Sequence, residues 1–527
     1  MKPTTVAANF KNYAMDAGDK PDAGSGAIIR TSRMFHIVIL STAFWALVFY
    51  MHSRMQGGGG GGVVSVLFKP SALSSVPKPS GIPVAETPPS EQPPASSVAP
   101  ESRSGTAPAA DRCAGRYIYM YDLPPRFNED LIRGCRKLSP WTDVCPYLAN
   151  CGMGPVLGDE GGVFQARGWY ATDQFTLEII SHCRMKRHEC LTADASLATA
   201  VYVPFYAAMD AGRYFFNATS VRDALALDLV DWLVRRPEWR AMGGRDHFMV
   251  AGRTSWELER RADDGDDAWG TKLLTLPAIR NMTSLILETS PWDRDNNFGL
   301  GSDDAHHQRW SSLAIPYPTY FHPEAAADVA AWQETVRGAE RKWLFSFAGA
   351  PRPGSKRTIR GESIRQCGAS SHCNLFDCGS GAGCYWPGGA TRVFKSSHFC
   401  LEPRGDTLTR RSTFDAILAG CIPVFFHPGS AYTQYRLHFP SDPNSYSVLI
   451  MHTDVTGRNV SIEETLSNIS PQAVKAMREE VIRLIPRVVY ADPRPARVDF
   501  KDAFDIALDA VMERVAKRRR AATGGEH

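Results

Sequence analysis

The sequence predicts an α/β body in two halves, each holding a mostly parallel sheet. From residue 117 onward, short apolar runs alternate with amphipathic stretches of helical period, the pattern of βαβ units. The alternation restarts at 343 (WLFSFAG) after a break over 320–342. The foldable part of the chain is 527 residues less the first 112, which leaves 415. That is too many for one core and suits two domains of roughly 200 residues each.

Composition narrows the class further. With 43% hydrophobic and 22% charged residues the chain is ordinary globular material. Its 59 basic and 56 acidic residues leave a net charge of +3, without the basic excess of a dedicated nucleic-acid binder.

The amino-terminal segment is organised differently. Residues 1–33 are polar. An apolar run over 34–51 (MFHIVILSTAFWALVFYM) is long enough to cross a bilayer as a helix, with Trp45 and Tyr50 placed for the far interface. The polar leader is too long for a secretory signal peptide, and no small-x-small cleavage site closes the run. Six glycines follow at 57–62, and residues 70–111 carry 10 of the 36 prolines, so 53–112 reads as a disordered stem. All 12 cysteines and four N-x-S/T sequons, at Asn217, Asn281, Asn459 and Asn468, lie beyond the run. Together they favour an oxidising, lumenal body on a single-pass anchor with a cytosolic tail.

Within the body, 117–121 (YIYMY) reads as a strand broken by Asp122-Leu-Pro-Pro. A helix is expected near 172–183, with Phe175, Ile179 and His182 on one face. Residues 200–205 read as a buried strand, and Leu225, Leu229, Trp232 and Leu233 mark a helix ending before Pro237. Further apolar runs occupy 247–251 and 285–287. In the second half, 343–349 and 398–401 read as strands, 410–419 as a helix, 422–426 as a strand and 502–519 as a final amphipathic helix.

Ligands of doubly wound sheets bind beyond the carboxyl ends of strands, so candidate chemistry is sought there. The richest stretch is 399–426 (FCLEPRGDTLTRRSTFDAILAGCIPVFF). A strand runs into Glu402-Pro-Arg-Gly and a helix begins near Arg410. Loop amides, Gly405 and the cations Arg404, Arg410 and Arg411 suit a diphosphate, and Asp415, one turn into the helix, suits ribose hydroxyls. A second basic loop follows 343–347 and leads to Lys356, Arg357 and Arg360. In the first half, Asp246 and His247 are candidates for acid–base work, and a buried structural pair is the alternative. Asp122 and Glu178 are further acidic candidates. Trp292, Tyr317, Tyr320 and Phe321 are candidates for stacking on sugar rings.

Other chemistries lack their signatures. Cys367, Cys373, Cys378 and Cys384 cluster without paired C-x-x-C spacing, so disulfides are expected rather than a metal site. Cys183–Cys190 and pairings among Cys135, Cys145 and Cys151 are candidates. The Asp-x-Asp pairs at Asp264/Asp266 and Asp293/Asp295 are too short to be diagnostic. There is no G-x-S-x-G, no P-loop, and no glycine-rich dinucleotide fingerprint after the first strand.

The segment 399–426 resembles the nucleotide-sugar motif of the exostosin-like glycosyltransferases, and the body resembles the plant xyloglucan galactosyltransferases among them. YMYDLPPRFN from Tyr119, GWYATDQFTLEII from Gly168, GGRDHFMVAGRT from Gly243, WGTKLLTLP from Trp269, IPYPTYFHP from Ile315 and LFSFAGAPRP from Leu344 carry the resemblance over roughly 115–515. It implies a GT-B fold, two Rossmann-like domains facing a cleft, at 113–330 on the acceptor side and 331–490 on the nucleotide-sugar side. A tail at 1–33, an anchor at 34–52, a stem at 53–112 and a C-terminal helix and tail at 491–527 complete the chain.

The resemblance also implies an inverting transfer without an essential metal or other cofactor, from a UDP-sugar held by Arg360, Glu402, Arg404, Gly405, Arg410, Arg411 and Asp415. The acceptor would meet Asp122 and His182, with Asp246 or His247 as the base. The expected enzyme moves galactose from UDP-galactose to the xylose side chains of xyloglucan in the Golgi membrane, possible company being other wall-glycan transferases. Transfer of galacturonic acid or arabinose is the alternative chemistry. A silent scaffold subunit, or a lumenal glycan-binding protein, is the alternative from another class. Many relatives carry Glu at the ribose position, where this chain has Asp415, one methylene shorter.

Overall fold

Two blocks of apolar and β-branched residues build two separate parallel sheets. The computed structural model describes residues 111–522 apart from 160, 261–267, 291–310, 353–357, 380–385 and 496. The run 34–51, the stem, Trp292, Lys356, Arg357, Cys384 and both Asp-x-Asp pairs lie outside the described residues. Among the described residues no helix is long and apolar enough to cross a membrane.

The first sheet comprises β1 (Tyr117–Met120), β2 (Leu191–Thr192), β3 (Ala198–Tyr202), β4 (His247–Thr254), β5 (Thr283–Glu288) and β6 (Ser312–Ala314), in the order β2-β1-β3-β4-β5-β6. The second comprises β7 (Trp343–Gly349), β8 (Cys373–Asp377), β9 (Ser397–Glu402), β10 (Ile422–Phe425) and β11 (Val448–Leu449), in the order β11-β10-β9-β7-β8. Every pairing within them is parallel. All residues of β4 and β5 are buried, as expected of strands covered on both faces, which is why they read as continuous apolar runs.

Local signals set the helix limits. The helix Thr219–Val234 stops as expected, because Arg236, preceding a proline, is driven to extended geometry (φ −76°, ψ 141°). Pro237 then opens a second helix, Pro237–Met242, at the position where its missing N–H costs nothing. The final helix, Ala503–Ala522, returns to the first sheet. Arg519 donates to the carbonyls of Ala198 and Thr199, and Arg518 to those of Arg245 and Asn281, at the amino edge of that sheet.

The two sheets belong to one compact unit and share apolar core. Their carboxyl edges touch directly. Glu288, the last residue of β5, accepts from the Thr409 amide (2.7 Å) and hydroxyl (2.6 Å). Tyr435 donates to the Leu287 carbonyl at 2.8 Å, and Gln434 accepts from the Thr289 amide at 2.9 Å.

Five disulfides join described cysteines: Cys113–Cys190, Cys135–Cys145, Cys151–Cys183, Cys367–Cys373 and Cys400–Cys421. The expected Cys183–Cys190 bond is therefore corrected. The Cys190 carbonyl accepts from the Ile118 amide, which places Cys190 beside the start of β1 and near Cys113. Cys183, on the helix Leu177–Lys186, meets the turn holding Cys151. The bond Cys400–Cys421 brackets the whole loop-and-helix segment between β9 and β10. Replacing both cysteines by alanine is expected to cost about 3 kcal/mol, from the entropy of a closed loop of this length. A chemical-denaturation midpoint unchanged from wild type would contradict that.

Candidate functional site

Strand β9 ends on Glu402 at the carboxyl edge of the second sheet. The Glu402 side chain is buried, with one oxygen bonded to the Ser412 hydroxyl and the other, Oε1, without a protein partner. Burial pushes its pKa up to about 8, against the lowering pull of Ser412 and Arg410. Arg360, in the first turn of the helix Ile359–Ala369, donates from Nε to the Ala350 carbonyl (2.8 Å) just past β7. Its pKa is pushed down to about 9 by burial and by the like charges of Arg410 and Arg352.

Arg410 stands immediately before the helix Arg411–Leu418 in extended geometry, and burial lowers its pKa while Glu402 raises it. Two glycines make room for these cations. A Cβ on Gly349 would lie 2.6 Å from Arg360 Nη2, and one on Gly405 would collide with Arg410 Nη1. Arg352 and Asp406 tie the loops after β7 and β9 together at 2.7 Å.

Arg411 turns toward the first sheet. It donates to the Thr172 carbonyl (2.6 Å), stacks 3.8 Å over Tyr320, and lies 3.5 Å from Asp415. Its Nε and Nη2 nevertheless lack hydrogen-bond partners, as does Asp415 Oδ1. Burial raises the Asp415 pKa to about 6 against the pull of Arg411. The predicted Arg360, Glu402, Gly405, Arg410, Arg411 and Asp415 are thus brought together around several buried, unpartnered polar atoms. Native interiors rarely leave such atoms unpaired. Arg404 is exposed and lies toward His427, whose pKa is pushed down to about 4 by burial, His452 and Arg404.

The first sheet's predicted residues separate. Asp122 is exposed directly after β1, at the carboxyl edge. The catalytic assignment of Asp246 and His247 is corrected. They stand at the amino end of β4, 3% and 0% exposed. His247 Nδ1 bonds Asp246 (2.8 Å), its Nε2 bonds the Tyr121 hydroxyl (3.0 Å), and Trp239 packs edge-on against the ring. No substrate hydroxyl reaches a ring whose two nitrogens are already engaged in the interior. His182 is likewise corrected as an acceptor ligand. It is buried, bonded to the Tyr206 hydroxyl at 2.8 Å, and burial pushes its pKa down to about 3. Tyr317 and Phe321 are core residues rather than stacking surfaces.

Glu178 lies beside the carboxyl half of β4, accepting from the amides of Ala208 (2.6 Å) and Gly252 (3.0 Å), and burial pushes its pKa up to about 8. The sequence reading missed Glu288 and His427. Both directly follow recognised apolar runs, so the strand-end rule would have found them. All four sequon asparagines are exposed.

The Glu402 environment sets a pH dependence. Its folded pKa, about 8, lies above its ordinary 4.5, so the folded protein holds an extra proton between those values. Any stability carried by the neutral form is present below pH 4.5 and is lost as pH rises through 8. An anion bound beside it favours the neutral form too. Affinity for UDP is therefore expected to fall about tenfold from pH 7 to pH 9, and Glu402→Gln to flatten the profile. Calorimetric titrations at the two pH values check this; an equally steep decline in the variant contradicts it.

The exostosin GT47 domain profile matches residues 112–466. The chain is 51% identical to xyloglucan galactosyltransferase MUR3 of Arabidopsis thaliana over 413 residues, 78% of this chain and 64% of that relative's length. It is 45% identical to the probable xyloglucan galactosyltransferase GT12 of the same plant, over 79% of this chain and 80% of the relative. It is 39% identical to xyloglucan-specific galacturonosyltransferase 1, also from Arabidopsis thaliana, over 77% of this chain and 58% of the relative. The match to the domain profile and to these relatives, over most of the chain, shows that the chain belongs to the exostosin GT47 family.

Proposed function

We propose that the chain is an inverting glycosyltransferase that moves galactose from UDP-galactose onto the xylose side chains of xyloglucan, forming a β-linkage. The observation that carries this is the cluster of buried, unpartnered polar atoms at Glu402, Arg411 and Asp415, beside the cations Arg360 and Arg410, where the two sheets meet. The two sheets act as the halves of a GT-B architecture. Arg360 and Arg410 take the diphosphate, and the free oxygens of Glu402 and Asp415 accept from the ribose hydroxyls. The names of the two more similar relatives support galactose and xyloglucan.

In a single displacement, the acceptor oxygen forms its bond to the anomeric carbon as the bond from that carbon to the diphosphate oxygen breaks. The acceptor proton goes to a carboxylate, and the electron pair leaves with UDP. With Asp246 and His247 enclosed, Asp122 is the proposed base, because it is solvent-open beyond the carboxyl end of β1. Guanidinium groups neutralise the departing diphosphate, so no metal ion is required. The run 34–51 supports a single-pass Golgi anchor with the body in the lumen, and the exposed sequons support glycosylation there.

A second donor has one specific support, the galacturonosyl activity in the name of the third relative. One assay separates the readings. The full chain is incubated with galactose-free xyloglucan and a panel of UDP-sugars, with and without chelator. Galactose transfer that survives chelation is expected. Transfer from no donor overturns the enzyme, uronic acid incorporation overturns the sugar, and loss on chelation overturns the metal-free mechanism.

A further inference from the structure

A cluster of aromatic side chains lies on the first sheet's side, next to the junction of the two sheets. Thr254 pairs in register with Glu288, the residue that grips Thr409. Two residues on, in the single turn Ser255–Leu258, Trp256 is 46% exposed. Its ring stacks on Trp269 (centroids 5.6 Å, planes 20° apart), and Trp269 stacks on Phe215 (4.5 Å, 14°). Phe216, 64% exposed, meets Trp269 at 6.0 Å and Trp141 at 5.7 Å.

The floor is rigid. Phe215 is buried, and the Arg253 guanidinium covers it at 4.7 Å while also stacking on Phe175 at 4.0 Å. Arg253 is itself held by Glu257 and by the Ala208 carbonyl.

Exposed aromatic planes on a fixed floor mark a binding surface rather than a packing defect. Two partly exposed rings offer far less than the roughly 800 Å² per partner of a stable protein interface. They match a smaller, repeating ligand. A pyranose ring presents a face of C–H bonds, which are attracted to the negative face of an aromatic ring while the hydroxyls point outward to water and polar groups.

We propose that Trp256, Trp269 and Phe216 form an anchoring subsite for the glucan backbone of the acceptor polysaccharide, outside the cleft where the sugar is transferred. The polymer's identity rests on the proposed function; the carbohydrate chemistry rests on the platform. Binding to a second point on the same chain raises the effective concentration of xylose side chains at the cleft, an advantage a long acceptor has over a short one. The rival occupant is the chain's own glycan, because Asn217 directly follows Phe216.

The test uses the full chain and its variants Trp256→Ala, Phe216→Ala and Asn217→Gln. Migration is measured in native gels containing xyloglucan, without donor, and transfer is measured to polymer and to a single-repeat oligosaccharide. Each aromatic variant is expected to weaken polymer binding about tenfold, the scale of a lost aromatic anchor, with UDP affinity within about twofold as the check on folding. The polymer also loses its advantage over the oligosaccharide. No retardation of the wild type, retardation unaffected by either aromatic substitution, or retardation seen only in Asn217→Gln overturns the platform. Trp256-dependent retardation without any transfer keeps the platform and fails the proposed function. Transfer with a Trp256-independent polymer KM does the reverse.

Discussion

Replacing Arg410 by alanine is expected to raise the KM for the UDP-sugar about 100-fold, the cost of removing a desolvated charge from a diphosphate, with the acceptor KM unchanged. The substitution is clean for the fold. Arg410 precedes the helix Arg411–Leu418 without capping it through its side chain, so stability should change little. Arg410→Lys keeps the charge but loses the planar fork and should recover only part of the affinity. Steady-state kinetics in both substrates decide this. An unchanged donor KM, or an equal rise in the acceptor KM, contradicts the assignment. Loss of Arg410 also leaves Glu402 with less cationic support, so the pH at which UDP affinity declines should move upward.

The second large effect concerns the base. Asp122→Asn is expected to lower kcat between about 100-fold and 10,000-fold while leaving UDP affinity near wild type, as removal of a general base does. The contrast is with the buried pair. Asp246→Asn and His247→Ala break a hydrogen-bonded unit in the interior and are expected to destabilise the fold by about 2–4 kcal/mol, leaving kcat of the folded fraction close to wild type. Active-site titration with thermal unfolding separates the two behaviours. A kcat collapse in Asp246→Asn without a stability loss, with Asp122→Asn fully active, would return the base to the interior pair.

The sequence carried the elements better than their neighbours. The run 343–349 coincides with β7, and the helix expected over 410–419 is Arg411–Leu418, because largely buried strands and amphipathic helices leave continuous, local signatures. The cluster of Glu402, Arg410, Arg411 and Asp415 was legible for the same reason, being strand end, loop and helix start within one short segment. Arg360 was within reach because it belongs to the next such unit.

The Asp246–His247 pair misled because its polarity was read without regard to strand direction. It sits at the start of β4, at the edge opposite the one that meets the second sheet. Glu288 was lost when the run at 285–287 was ended one residue early. Cys135–Cys145 and a bond within the Cys367–Cys384 cluster were legible as candidates from their short spacing, whereas the longer-range disulfides and the aromatic cluster were not. Trp141, Phe216 and the Trp256–Trp269 pair follow different strands of the first sheet and meet only because parallel crossovers return successive loops to one edge.

The most direct measurement is hydrogen–deuterium exchange of the full chain with and without UDP. UDP is expected to protect the backbone around Ala350 and Arg360 and from Glu402 to Arg411, leaving exchange around Asp246 and His247 unchanged. Protection confined to the amino edge of the first sheet, or none at Glu402 to Arg411 under saturating UDP, would contradict a nucleotide held at the junction of the two sheets.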